Sequence, residues 1–81
     1  MRVTITFFSY FKELTGCAQA SETLPSGSTL GDLQKQLAVR FPRLAAMQNS
    51  TLIAVGVEYQ GRGYLLKEGD EVSLFPPVQG G

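Results

Sequence analysis

The chain has 81 residues, of which 43% are hydrophobic and 17% are charged, and its seven basic and seven acidic side chains leave no formal net charge. This length and composition predict one small globular domain and exclude a disordered segment. The balanced charge gives nucleic-acid binding no electrostatic basis, and no apolar run approaches the ~18 residues that a membrane-spanning helix needs.

The first third of the chain carries the patterns of two strands and a short helical turn. Apolar and polar side chains alternate over residues 2–8, which predicts a strand with one buried face formed by Val3, Ile5 and Phe7. Residues 10–16 predict a helical turn closed by Gly16. Residues 21–24 predict a short second strand, ended by a turn over residues 25–27.

The middle of the chain changes to a helical period. Apolar side chains recur three or four residues apart, at Leu30, Leu33, Leu37 and Phe41. Thr29 and Asp32 have the spacing of a capping box, with Ser28 as an alternative cap. Pro42 predicts that the helix ends near Arg40. The apolar stripe of this helix is expected to pack on the buried face of the first strand.

The second half of the chain is predicted to return to strands. We expect a loop over residues 43–51, an apolar strand over 52–57, a glycine turn over 60–63 and a short strand over 64–66. A turn over residues 67–70 uses Gly69 at positive φ, and Val72 and Leu74 alternate with Ser73 and Phe75 in the last strand. This order predicts an α+β fold, a mixed sheet with one main helix on one face, as a domain over residues 1–76 with a tail over 77–81.

Side chains that commonly carry catalysis are scarce. The chain has no histidine, which excludes a Ser-His triad and a His-bearing metal site. Cys17 has no second cysteine beside it, so we interpret it as an incidental thiol. We interpret Gly61-Arg62-Gly63 as a hairpin turn and the acidic pair at 70–71 as a solvated loop. No bound cofactor is expected, and the lone cysteine and the absence of a signal peptide predict a cytoplasmic protein.

The last residues combine features that a simple loop would not need. Pro76 and Pro77 fix φ at about −65° and favour an extended chain, whereas Gly80 and Gly81 lack a Cβ and fit a narrow channel. We interpret this stretch as a stiff neck with a bare tip that enters a partner's active site; a frayed terminus is the alternative. The terminal carboxylate is ionised and a poor electrophile, so its use requires activation by another enzyme, normally as an acyl-adenylate.

Residues 69–81, Gly-Asp-Glu-Val-Ser-Leu-Phe-Pro-Pro-Val-Gln-Gly-Gly, closely resemble the C-terminus of the molybdopterin synthase small subunits. Residues 3–8, 12–16 and 29–33 are similar to that family too, so the resemblance covers most of the chain. The resemblance implies the ubiquitin-like β-grasp fold. One departure is Gly56, where relatives commonly carry Asn, and it affects the predicted hairpin rather than the tail.

The resemblance also implies a sulfur-carrier cycle centred on Gly81. An activating enzyme of the ubiquitin-activating type consumes ATP to adenylate Gly81, and sulfur then converts the acyl group to a thiocarboxylate. The tail delivers this sulfur to cyclic pyranopterin monophosphate in the large subunit of molybdopterin synthase. A heterotetramer of two small and two large subunits is implied, in which this chain is a co-substrate and is not catalytic alone.

The alternation of the strands predicts a docking face. If Val72 and Leu74 face the helix, Phe8 and Phe75 project from the opposite face, beside the tail. Exposed aromatic side chains at this place suit an interface anchor, although Phe75 covering its own sheet edge is the alternative. The residues expected to contact the partner are Phe8, Phe75, Pro76, Pro77, Val78 and Gln79.

Three other functions are consistent with parts of this pattern. A sulfur carrier for thiamine thiazole synthesis shares the fold and the tail chemistry but usually lacks the Phe-Pro-Pro-Val neck. A ubiquitin-like protein modifier usually has a longer and more flexible tail than one in which Pro76 follows the strand directly. The third alternative is an interaction domain whose terminus has no chemical role.

Overall fold

The computed structural model describes residues 1–77 of the chain. Its strands are β1 (Arg2–Phe7), β2 (Gln19–Thr23), β3 (Leu52–Val55), β4 (Glu58–Tyr59) and β5 (Glu71–Phe75). Its α-helices are α1 (Phe11–Thr15) and α2 (Leu30–Arg40), and a 3₁₀ helix spans Pro42–Met47. No helix in this part of the chain is long and apolar enough to cross a membrane.

The strands form one mixed sheet in the order β2-β1-β5-β3-β4. The two central strands, β1 and β5, run parallel, and every other neighbouring pair is antiparallel. A parallel pair requires a crossover, and the long connection through α2 supplies it. The predicted architecture, a mixed sheet with one main helix, is therefore confirmed.

The core lies between α2 and one face of the sheet. Alternate residues of the strands point to this side, and the predicted apolar stripe of α2 meets them. The residues with at most 4% of their surface exposed include Val3, Ile5, Phe7, Leu30, Leu33, Leu37, Ile53, Val72 and Leu74. Phe7 also contacts the half-buried ring of Phe41 edge to face, with centroids 5.6 Å apart.

The start of α2 has the predicted capping box. The Thr29 backbone N–H donates to Asp32 Oδ2 at 2.9 Å, and the Asp32 N–H donates to Thr29 Oγ1 at 3.2 Å. The hydrogen bond from the Thr29 backbone, followed by that from its side chain, lowers the pKa of the exposed Asp32 carboxyl from 3.8. The predicted positive φ of Gly69 is confirmed, at 82° before β5, and Gly16, which was predicted to close the first helical turn, is left-handed at φ 75° after α1.

The predicted glycine turn at residues 60–63 is present, since the Tyr64 N–H donates to Gly61 O at 3.1 Å. Its interpretation as a hairpin is wrong, because it does not join two paired strands of the sheet. The strand that we expected over 52–57 ends at Val55, and the chain reverses at Gly56 (φ 61°) and Val57 to form β4. A left-handed conformation is accessible to glycine at no steric cost, which allows this tight reversal.

Two other segments differ from prediction. Residues 43–51, expected as a loop, begin in the 3₁₀ helix. Residues 64–66 do not form a strand of the sheet; they meet the start of α2 instead, where Leu30 N–H donates to Tyr64 O at 3.0 Å and Leu66 N–H to Ser28 O at 2.9 Å. The first N–H groups of a helix lack partners within the helix, and this segment supplies acceptors for them.

Candidate functional site

An apolar patch lies on the sheet face away from α2, at the end where β5 finishes. It consists of Phe8, Leu52, Tyr59 and Phe75, and we call these four residues the open-face patch. Phe8 and Phe75 stack with their ring centroids 4.6 Å apart and 14° between their planes. The Tyr59 ring stands 6.3 Å from that of Phe75 at 63°. The exposed fractions of Phe8, Leu52 and Tyr59 are 38%, 39% and 70%, so the patch presents a large apolar surface to solvent.

The register of the sheet explains why these residues meet. Phe7 lies opposite Leu74 in the parallel pair, so the next residue of each strand, Phe8 and Phe75, also come side by side. The Phe8 N–H donates to Leu74 O at 3.1 Å and extends this pairing past the end of β1. On the other side of β5, Leu52 is the antiparallel partner of Phe75. Because neighbouring side chains across a ladder share a face, all three lie on the side opposite the core.

A left-handed residue holds the outer end of the patch. Ser9 has φ 56°, a conformation that costs a serine roughly 1–2 kcal/mol. It turns the chain directly from Phe8 into α1, where the Phe11 N–H donates to Phe8 O at 3.2 Å. Phe11 is itself fully buried. The position of the Phe8 ring on Phe75 is therefore fixed from both sides, by β5 and by the anchored start of α1.

The open-face patch leads into the neck of the tail. Phe75 is the last residue of β5, and Pro76 and Pro77 follow it with partly buried side chains. The structure thus brings together Phe8, Phe75 and the neck, among the predicted site residues. The other predicted residues, Val78, Gln79, Gly80 and Gly81, lie outside the described residues.

Leu52 and Tyr59 were not predicted to belong to the site. Residues 52–57 are apolar except for a glycine, so their sequence carries no alternation that would separate an inward from an outward face. The misplaced hairpin turn also concealed that Tyr59 lies on the strand beside β3. One feature of the sequence could have pointed to Leu52. The last strand is predicted to reach Phe75, so a strand that pairs antiparallel with it must place one of its own residues opposite Phe75.

Cys17, the Gly-Arg-Gly stretch and Asp70 form local contacts within the fold. Cys17 is half-buried, and its thiol lies 3.7 Å from Thr15 Oγ1. Arg62 O, in the Gly-Arg-Gly stretch, accepts the Gly31 N–H at 3.0 Å. Asp70 accepts from the Lys67 N–H at 2.8 Å and from the Tyr64 hydroxyl at 3.3 Å, which closes its loop. Within residues 1–77, no three His, Cys, Asp or Glu side chains are grouped to hold a metal ion.

A five-stranded mixed sheet with one main helix packed across one face defines a ubiquitin-like β-grasp protein. SAMP1 from Haloferax volcanii has this fold, with a TM-score of 0.89 over 100% of both chains; at 24% identity that likeness concerns the fold alone. The ThiS family model matches residues 5–81, and the chain belongs to this family.

Two relatives carry more specific names. The molybdopterin synthase sulfur carrier subunit of Escherichia coli (strain K12) is 33% identical over 98% of this chain and 99% of its own length. The second is solved in a protein–protein complex of subunits 1 and 2 of the molybdopterin-converting factor from Helicobacter pylori 26695. It matches with a TM-score of 0.71 and 27% identity over 100% of both chains. The resemblance seen in the sequence is thereby confirmed.

Proposed function

We propose that this chain is the sulfur carrier small subunit of molybdopterin synthase. The observation that carries the proposal is the open-face patch, an exposed aromatic surface that runs without interruption into Pro76 and Pro77. The name of the Escherichia coli relative and the two-subunit complex from Helicobacter pylori support a role beside a larger partner. The chain itself supplies a docking surface and a reactive terminus, and it is not catalytic alone.

The proposed chemistry takes place at the carboxylate of Gly81. One carboxylate oxygen attacks the α-phosphorus of ATP, which forms an acyl-adenylate and releases pyrophosphate. Hydrosulfide, the simplest sulfur source, then attacks the acyl carbon and forms a C–S bond as the bond to the AMP oxygen breaks, and loss of the S–H proton leaves a thiocarboxylate. Activation converts a poor electrophile into a good one, and the absence of a Cβ at Gly80 and Gly81 leaves room for nucleotide and nucleophile.

Two partners are required by this cycle. An adenylyltransferase of the ubiquitin-activating type binds the ATP, so the carrier needs no cofactor of its own. The large subunit binds cyclic pyranopterin monophosphate and receives the tail, in a heterotetramer of two small and two large subunits in the cytoplasm. The five residues from Pro77 to Gly81 span at most roughly 17 Å when extended, which is long enough to reach a buried site from a docked body.

Intact-mass spectrometry tests the chemistry at the tip. After incubation with ATP, the activating enzyme and a sulfur source, the protein is expected to gain the mass of one oxygen-to-sulfur exchange. Deleting Gly81, or appending one residue after it, is expected to abolish this gain and to leave the circular dichroism spectrum unchanged. Val39→Ala is the control, because Val39 is 83% exposed on α2, on the other side of the sheet. An equal gain in the extended protein would contradict the proposal.

The second candidate is a sulfur carrier for thiamine thiazole synthesis, which would share the β-grasp fold and the chemistry of the tail. Both carriers form the same thiocarboxylate, so the mass experiment does not distinguish them. The distinction lies in the acceptor. The thiocarboxylated protein is expected to convert cyclic pyranopterin monophosphate when it is mixed with a molybdopterin synthase large subunit. Sulfur transfer only to a thiazole-forming enzyme would favour the second candidate.

A further inference from the structure

The two edges of the sheet differ in length. The order of strands leaves β2 and β4 at the edges, and β4 has only two residues whereas β2 has five. An edge strand presents unpaired backbone N–H and C=O groups, which are a template for pairing with another chain. In the described part of the chain, β2 is therefore the edge long enough to accept a further strand.

The hydrogen bonds between β1 and β2 identify the groups at this edge. Met1 and Leu24 exchange both of their backbone bonds, at 2.8 and 2.9 Å, and Phe7 N–H donates to Ala18 O at 2.8 Å. In an antiparallel pair the residues alternate between facing the partner strand and facing away. Ser21 and Thr23 consequently direct their backbone groups outward, to the free side of β2.

Two side chains of α2 donate hydrogen bonds to the outward-facing backbone carbonyl oxygens of β2. Arg40 Nη1 donates to Ser21 O at 3.1 Å, and Gln36 Nε2 donates to Thr23 O at 3.2 Å. Gln36 and Arg40 are four residues apart, so they project from one face of α2, one turn after the other.

A buried carboxylate on β2 holds both side chains in place. Glu22 is 6% exposed and forms an ion pair with Arg40, whose side chain is 51% exposed. Gln36 Nε2 donates to Glu22 Oε1 at 2.8 Å. The Arg40 guanidinium also lies 5.1 Å from the centre of the Phe41 ring, which restricts its movement further. Glu22 thus orients two donors that would otherwise be free to turn into solvent.

We propose that Gln36 and Arg40 close the β2 edge against strand addition, and that without them β2 pairs with β2 of a second copy of this chain. The outward groups suit a second copy, because two antiparallel β2 strands related by a twofold axis present the same donors and acceptors to each other. The formally neutral chain adds no strong repulsion between copies. β1 separates β2 from β5, so closing this edge leaves the open-face patch as the accessible docking surface.

Removing the two donors without leaving an unpaired buried charge requires paired substitutions. Truncating Arg40 alone would leave the buried Glu22 carboxylate without its charged partner. An unpaired buried charge is strongly destabilising in itself. The test therefore uses the double variant E22Q/R40M and the triple variant E22Q/Q36A/R40M, in which methionine keeps an apolar side chain beside Phe41. Lys35→Met is the control, because it also removes a positive charge from α2. Lys35 is exposed, and within residues 1–77 its side chain forms no hydrogen bond with β2.

Sedimentation equilibrium at matched concentrations measures the outcome. The wild-type protein and Lys35→Met are expected to have the monomer mass and the triple variant twice that mass, with weaker dimerisation of the double variant. Amide exchange at Ser21 and Thr23 is expected to slow only in the dimers. Folded variants that stay monomeric would overturn the proposal, and so would a dimer in which these amides still exchange fast. Unfolding of both variants would overturn it too, since Gln36 and Arg40 would then serve only to hold α2.

Discussion

At the scale of single residues, the backbone conformation of Gly56 accounts for the tight reversal between β3 and β4. Its φ of 61° is left-handed, and a Cβ built there meets nothing within 4 Å. A side chain at position 56 is therefore disfavoured by the backbone conformation and not by a clash with neighbouring atoms. Asparagine is among the few other residues that adopt this conformation readily, so an asparagine at position 56 is compatible with the same turn.

Substitutions at Gly56 should separate these two effects. Gly56→Ala is expected to lower the free energy of unfolding by about 1 kcal/mol, because alanine pays the left-handed cost, and Gly56→Asn by less. Gly63→Ala is the control, since Gly63 also has open space around it but not a left-handed φ. Urea denaturation followed by circular dichroism measures all three. Equal losses in Gly56→Ala and Gly63→Ala would contradict this account of the turn.

Cys17 provides a second test at this scale, of where the sulfur is carried. Its thiol is half-buried beside Thr15, so serine is a near match in size and keeps a polar contact. Cys17→Ser is expected to form the thiocarboxylate and support molybdopterin synthesis at a rate close to that of the wild-type protein. The measurement is intact mass together with product formation. Loss of activity in a folded Cys17→Ser protein would assign the sulfur to the thiol instead of Gly81.

At the scale of secondary-structure elements, the capping box links the start of α2 to pH. The pKa of Asp32 is lowered in the folded protein and lies at 3.8 without these bonds. A lowered pKa means that the ionised carboxylate favours the folded state above pH 3.8. This contribution is lost as the pH falls through the folded-state pKa.

The stability difference between the wild-type protein and Thr29→Ala should therefore depend on pH. We expect it to be largest near neutral pH and to shrink as the pH falls below 3.8, and Asp32→Asn should reduce the same pH dependence. Ser26→Ala, at an exposed position in the preceding turn, should show no such trend. Urea midpoints across the acid range provide the measurement. A constant difference between wild type and Thr29→Ala would show that the Thr29 side chain does not lower the pKa of Asp32, since the bond from the backbone N–H of residue 29 is kept in both proteins.

The elements also show what the sequence could predict and what it could not. Alternation in β1 and β5 and the period of α2 follow from burial on one side, so the sheet, the helix and the position of Phe8 and Phe75 on the face opposite the helix could be inferred. β3 has no polar residue to mark its outward face, which hid Leu52 and Tyr59. Residues 64–66 resemble a strand locally, but their carbonyl and N–H groups bond to the start of α2. The local sequence pattern does not show that a segment supplies hydrogen-bond acceptors to the free N–H groups at the start of a helix that is distant in the sequence.

At the scale of the whole molecule, the two faces of the sheet differ in what covers them. One face and α2 form the core that makes the fold stable, and the other face bears the open-face patch beside the tail. Phe75 belongs to the second face, but it is partly covered by Phe8 and Tyr59. Its ring therefore contributes to a surface cluster, and a substitution there should affect binding more than folding.

Phe75→Ala tests this separation directly. The cost in stability is expected to stay below the ~3–5 kcal/mol typical of a fully buried phenylalanine, because Phe75 is only partly buried. Binding to the large subunit is expected to weaken by about 2 kcal/mol or more, roughly thirtyfold in affinity, if the ring anchors the interface. Urea denaturation and calorimetric titration with the large subunit measure the two effects.

Val39→Ala, an exposed apolar truncation on α2, should change neither. A Phe75→Ala protein that unfolds easily yet binds normally where folded would place Phe75 in the core and move the docking surface elsewhere, while the role of Gly81 would be unaffected.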